Sequence, residues 1–433
     1  MPLDAHSITA EEPHSTGVVP DPQRRIFWWI AAGVFFIEAL LTAHHDVFGL
    51  RGPDAYWAFH WARDYSHGFV RRALLGTVLQ WAHLDNTNYR VILVISWAVS
   101  LLLFISLAQA VRRLSQGLDR YERSSFVVAL LLSPLMGGIV IETTGDPMQL
   151  ILAIYLLLLR LVVEARKPAL VTGIAFAAFG AIAALIHEAS LFFLAPALVV
   201  AALVLLRTLT ARAALLGYLL GALPVVLAII LTNHHRIAQD FVPPVHLGSQ
   251  VLDSGSQGFD TFSSLFHGEN AQRFGRGLRG YVALAANTVG DSLLPLFFAF
   301  QIITVFFNRN LSTRETRQRV LLAFLVPVLL SGPLYLIAHD WGRFLAYGFI
   351  LTLATLAGWR TPHTIKPSDA RQAVFAAGLL LAGLTTTPLL NGYRVRGLRD
   401  NPKILLCSIL IMAVATYLLH HLRPEKLAES PEL

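Results

Sequence analysis

The sequence predicts an all-α, polytopic membrane protein with about twelve transmembrane helices (10–13) and an interfacial helix in its first outer loop. Three observations carry that expectation. Residues of the hydrophobic set make up 55% of the 433 positions and charged residues only 14%, with a mean hydropathy of +0.58. A soluble domain carries about 25% charged residues, and disorder requires low hydrophobicity with high charge, so both classes are excluded. Apolar runs near 20 residues recur along the chain, the length a helix needs to cross hydrocarbon with every backbone amide paired internally. Arginine and lysine, finally, alternate in density from one inter-run segment to the next. The single cysteine, Cys407, excludes a disulfide framework and a cysteine-ligated zinc site.

Taken in order, residues 1–22 are polar, with Pro2, Pro13, Pro20 and Pro22, and are expected to be a disordered cytoplasmic tail. The first apolar run follows Arg24 and Arg25 and lacks a small-residue cleavage site, so it is expected to anchor the chain and remain. Spans are expected at 26–43, 91–110, 124–141, 150–165, 169–186, 190–206, 213–232, 283–307, 320–338, 344–359, 373–390 and 404–420. They form one transmembrane domain over 23–422, with long outer loops at 44–90 and 233–282 and a cytoplasmic tail at 423–433. The stretch 69–84 is apolar but short. Val70, Ala73, Leu74, Thr77, Val78 and Trp81 recur at helical spacing along one side, the pattern of a helix lying in the interface.

Orientation follows from the basic residues. With the N-terminus inside, nineteen of the 34 fall on inner segments, including Arg112, Arg113, Arg120, Arg123, Arg207, Arg212, Arg314, Arg317 and Arg319. Both termini are therefore expected in the cytoplasm, with the chain in a bacterial inner membrane. Segment 391–403 is the exception, placing Arg394, Arg396, Arg399 and Lys403 outside. Only four of the basic residues are lysines. Arginine's planar fork suits phosphate and carboxylate, although a GC-rich genome gives the same bias. The arginines are scattered among short loops, which argues against nucleic-acid binding.

This orientation gathers the ionisable residues on one face. The first outer loop holds His44, His45, His60 and His67, with Asp46, Asp54 and Asp64 and the pair Arg71 and Arg72. Short outer turns add Glu142 with Asp146, His187 with Glu188, and His339, Asp340 and Arg343 in the sequence HDWGR. Turns of three to five residues do not need so many charges merely to be soluble. If 57–71 is helical, Trp57, His60, Asp64, His67 and Arg71 share one face at steps of three and four. On such a face a carboxylate can accept a proton, an arginine hold a phosphate, and a tryptophan stack on a sugar. The plainer alternatives are a solvated surface whose charges satisfy one another, a helix cap at His187 and Glu188, and turn-shaping by Glu142 and Asp146.

A first membrane helix, a large acidic outer loop with an interfacial helix, and then many further helices resemble the integral-membrane glycosyltransferases of the GT-C class. The pattern is also similar to bacterial polysaccharide polymerases and polyprenyl-linked sugar transferases. The stretches DYSHGFVRRALLG and HDWGRF carry the resemblance most specifically. Two features depart from it: the first loop has no adjacent acidic pair, and no large soluble domain follows the helices. The resemblance implies a sugar moved from a polyprenyl-phosphate-linked donor to a glycan or lipid acceptor at the outer face of the bilayer. Asp64, or failing that Asp54, would be the base, with His67, His339 and Asp340 also catalytic. Arg71, Arg72 and Arg343 would meet the lipid phosphate, and His60, Glu142, Asp146, His187 and Glu188 would line the substrate site. A divalent cation is compatible with the carboxylates, but no ligand spacing demands one. Two other classes stay open: a secondary transporter or flippase-like protein, and a membrane acyltransferase with His339 or His187 as base.

Overall fold

A computed structural model describes residues 22–42, 55–66, 72–115, 120–131, 139–164, 167–235, 245–247, 250–252, 314–330 and 341–359. These residues are overwhelmingly helical. Among the described residues, three helices are long and apolar enough to cross a membrane: α4 (Tyr89–Leu114), α8 (Ala169–Ile186) and α10 (Leu209–His235, apolar over Leu209–Thr232). Around them stand other helices: α1 (Pro22–Thr42), α2 (Ala55–Ala62), α3 (Leu74–Trp81), α5 (Arg120–Leu131), α6 (Ile139–Glu142), α7 (Pro147–Glu164) and α9 (Ser190–Val199). Two further helices follow at α11 (Arg314–Leu330) and α12 (Trp341–Gly358). The spans expected at 283–307, 373–390 and 404–420, and the basic segment 391–403, lie outside the described residues.

The centre of the bundle is a triplet, α4, α7 and α12, whose facing side chains are fully buried, among them Leu103, Leu107, Ile151, Tyr155 and Leu353. The three helices of the triplet run in one direction. Ser100 of α4 donates to Gln149 of α7 at 2.7 Å, and Tyr347 of α12 donates to Asp146, just before α7, at 2.6 Å. Near the far ends Gly358, eleven residues beyond Tyr347 and the last glycine of α12, lies against Val163 of α7, seventeen residues beyond Asp146. The α8–α10 pair packs differently, backbone on backbone. A Cβ built on Gly217 would run into the carbonyl oxygen of Gly173, and one on Gly221 into that of Ala177. The two contacts keep the same offset in sequence, so these helices also run parallel. Small residues let helix backbones approach closely where hydrocarbon supplies no hydrophobic drive between them.

Three expectations are corrected. The helix expected over 57–71 ends at Ala62. The Asp64 carboxylate accepts from the Ser66 amide at 2.8 Å, a local turn that competes with the helical ladder. The helical face that begins at Trp57 and His60 therefore does not continue to Asp64. The interfacial helix expected over 69–84 is α3, only eight residues long, and its stripe is divided. Val78 and Trp81 are exposed, whereas Thr77 turns inward, accepting from the Tyr65 amide at 2.9 Å and donating to the Ala73 carbonyl. The fold is also not purely helical. Strands β1 (Val245–Leu247) and β2 (Gln250–Leu252) form an antiparallel hairpin in the long second loop. The His246 amide donates to the Thr87 carbonyl at 2.8 Å, which docks this hairpin just before α4.

Candidate functional site

The sequence-distant polar residues meet at the α2 end of the bundle. The turn 143–146 is built by Gly145, whose φ of 93° is left-handed and natural only to glycine. Its carbonyl accepts from the Trp61 indole at 2.6 Å, which ties α2 to the start of α7. Asp146 is the N-cap of that helix: its Oδ1 accepts from the Met148 amide at 2.8 Å, and Pro147 fills the first helical position. The other carboxylate oxygen accepts the Tyr347 hydroxyl at 2.6 Å. Thr143 lies 3.3 Å from the same hydroxyl, and Gln149 donates to Thr143 at 2.9 Å and to the Val140 carbonyl at 2.6 Å. Asp146 has no solvent exposure. Here the turn-shaping role and a buried carboxylate are one residue.

A second group surrounds the turn between α8 and α9. His187 ends α8 in an extended conformation, and its Nδ1 accepts from the Ala189 amide at 3.3 Å. Glu188 receives a two-pronged ion pair from Arg72, Nη2 to Oε1 at 2.6 Å and Nε to Oε2 at 3.0 Å. Both side chains are about nine-tenths buried. Arg72 sits at φ 62°, a strained conformation for a non-glycine residue, held where its guanidinium reaches across 116 positions of sequence. His60, fully buried on α2, places its ring 6.3 Å from that of His187 and 5.7 Å from that of Trp57. The segment before α3 and the 187–188 turn are thus clamped together by a charged, desolvated pair.

Asp64 differs from these buried groups because it is partly open to solvent. Burial raises its carboxyl pKa, but hydrogen bonds from Ser66, Asn86 and Gln80 together outweigh that and hold it below the ordinary carboxylate value. Gln80 of α3 lies 2.5 Å from Oδ2, and Asn86 is 3.4 Å from the same oxygen. Asn86 also donates to the Ala62 carbonyl at 2.6 Å, which fixes the end of α2. The result is an ionised, accessible carboxylate on a backbone pinned from three directions.

The structure therefore sets His60 beside His187 and pairs Arg72 with Glu188, while Asp64 and Asp146 each hold their own polar partners. Glu142 is the last residue of α6 and Arg343 lies in the first turn of α12, and only their helix membership is described. Asp54, His67, Arg71, His339 and Asp340 lie outside the described residues. Among the described residues no three of His, Cys, Asp and Glu gather closely enough to hold a metal ion. Sequence reasoning did not single out Trp61, Gln80, Asn86, Gln149 or Tyr347. No periodic pattern marks them, since each acts through contacts that only the fold creates.

These features define an integral-membrane helical protein with an ionisable cluster at one end of its bundle. Residues 27–248, just over half of the chain, match the family described as uncharacterised membrane protein Rv1490, and the chain belongs to that family. The match spans α2, α3 and the 187–188 turn, so most of the described cluster lies within it. No curated protein and no solved structure matches the chain.

Proposed function

We propose that this protein is a membrane glycosyltransferase that moves a sugar from a polyprenyl-phosphate-linked donor to a glycan or lipid acceptor. In this reading it spans a bacterial inner membrane about twelve times with both termini cytoplasmic, and the cluster faces outward. The observation that carries the reading is Asp64: an ionised, accessible carboxylate on a pinned loop, beside an interfacial helix with exposed apolar side chains. A lipid-linked donor would lie with its tail among the helices and its phosphate at that interface.

The acceptor hydroxyl oxygen attacks the anomeric carbon, forming the new glycosidic bond. The bond from that carbon to the phosphate oxygen breaks, and the polyprenyl phosphate leaves with the electron pair. Asp64 takes the hydroxyl proton as attack proceeds, and a single displacement inverts the anomeric configuration. Arg72 is assigned a positioning role, because its guanidinium clamps Glu188. The leaving phosphate falls to Arg71 and Arg343, by their places in the sequence.

The test compares surface and secreted glycans by mass spectrometry in cells carrying wild type, Asp64→Asn or a full deletion, at matched membrane abundance. The expected result is one glycan lost in both the variant and the deletion, with the lost mass naming the sugar. Unchanged glycans in the deletion would overturn the proposal. A second reading, secondary transport, draws on Asp146, a carboxylate buried among helices and bonded to Tyr347, since ionisable groups within a bundle often mark ion pathways. Substrate counterflow in vesicles, lost in Asp146→Asn, would favour it.

A further inference from the structure

The far end of the α4, α7 and α12 triplet opens into a small, solvent-open cleft. Ser106, Gln109 and Arg113 of α4 line one wall, Arg160 of α7 another, and Ala357 and Gly358 close the third. Arg113 lies thirteen residues beyond Ser100, and Arg160 eleven beyond Gln149. At 1.5 Å per residue the cleft stands roughly 16 to 20 Å from the Asp146 layer, so it is separate from the ionisable cluster. Apolar side chains, Leu156, Leu157, Leu159 and Val163, continue from the two arginines along α7. The Gln109 side-chain oxygen is buried without a hydrogen-bond partner, and a buried amide oxygen calls for a donor.

We propose that this cleft binds a phosphate ester, with the guanidiniums of Arg113 and Arg160 on the phosphate and a ligand hydroxyl donating to Gln109. The apolar wall adjoining the two cations fits an anionic phospholipid, phosphate and glycerol at the helix ends and acyl chain along α7. Basic pockets between spanning helices bind anionic headgroups by this combination of charge and depth. The same polar groups would accept a soluble glycerol phosphate, so the experiment separates the two sources. The bland competitor is that both arginines only complement the negative C-terminal ends of α4 and α7. The proposal stands whether or not the opposite end transfers sugars.

The test is native mass spectrometry of the full chain in detergent, titrated separately with phosphatidylglycerol, phosphatidylcholine and glycerol 3-phosphate. Wild type should retain phosphatidylglycerol over phosphatidylcholine, and Arg113→Gln/Arg160→Gln should bind it about thirtyfold more weakly. Arg212→Gln, a change to an exposed arginine on α10 away from the cleft, should bind like wild type. Gln109→Leu should weaken binding several-fold without altering charge. Displacement by glycerol 3-phosphate assigns the site to a soluble ester, and persistence against it assigns the site to lipid. Equal retention of the two lipids by wild type, with no glycerol 3-phosphate bound, overturns the proposal even if the double variant fails to fold. So does a folded double variant that binds phosphatidylglycerol as wild type does.

Discussion

The α2 end of the bundle and the α8–α10 pair hold together by opposite means. At the α2 end, polar contacts join side chains from distant parts of the chain: Arg72 on Glu188, Tyr347 on Asp146, Trp61 on Gly145. Between α8 and α10, carbonyl oxygens face glycines, and no side chain separates the backbones at Gly217 and Gly221. The first region fails when a charge or donor is removed. The second fails when a single carbon is added.

The largest effect should come from breaking the buried pair. Glu188→Ala takes this carboxylate from the buried Arg72 guanidinium, and breaking a buried ion pair destabilises a protein by about 3 to 5 kcal/mol. A thermal melt of the detergent-solubilised protein should show a marked loss, and Arg72→Met/Glu188→Met should recover much of it. Equal damage in the single and double variants would mean the pair does not act as a unit. Next comes Gly221→Ala, which drives a methyl into the Ala177 carbonyl and should destabilise by about 1 to 3 kcal/mol. Gly33→Ala on α1, where a Cβ meets nothing within 4 Å, should be neutral or slightly stabilising. If both glycine variants melt alike, the close approach of α8 and α10 is not what holds them.

Tyr347→Phe removes the hydroxyl from the buried Asp146 carboxylate and should destabilise by about 1 to 3 kcal/mol. A loss greater than that of Gly221→Ala would make the polar layer, not the glycine seam, the tighter of the two regions. The smallest effect is the pH dependence from Asp64. Its folded carboxyl lies below the ordinary value of 3.8, so the stability it contributes is present above that value. That stability is lost as pH falls through the folded value. Asp64→Asn should flatten this acid limb of the melting curve, and an unaltered limb would show that the donors around Asp64 do not select its charged form.

Much of the fold was legible because hydrophobic run length and helical period are local. The runs expected at 169–186 and 150–165 become α8 and α7 almost unshifted, and 91–110 lies within α4. The membrane setting followed from composition alone and agrees with the family. The concentration of ionisable residues at 60–72, 142–146 and 187–188 was also visible, since short turns with many charges stand out between apolar runs. The connections among them were not. Nothing in the sequence pairs Arg72 with Glu188 or Asp146 with Tyr347, because those partners are chosen by helix packing over more than a hundred residues. The break after Ala62 was missed for a local reason: helical spacing on one face outweighed the weaker signal of an aspartate two residues before a serine. The hairpin at 245–252 is too short to register against the loop around it.

Gly76 of α3 has no room for even one carbon, because the carbonyl of Arg63 occupies that position. Thr77 meanwhile holds the Tyr65 amide, and Gln80 holds the Asp64 carboxylate. The eight-residue helix and the loop it touches are therefore one mechanical body. Val78 and Trp81, on the other side of that helix, are its exposed apolar side chains. With α3 in the interface, as proposed above, a change in lipid thickness or lateral pressure that shifts it would carry residue 64 with it, and the height of the carboxylate would become a property of the surrounding bilayer as much as of the chain.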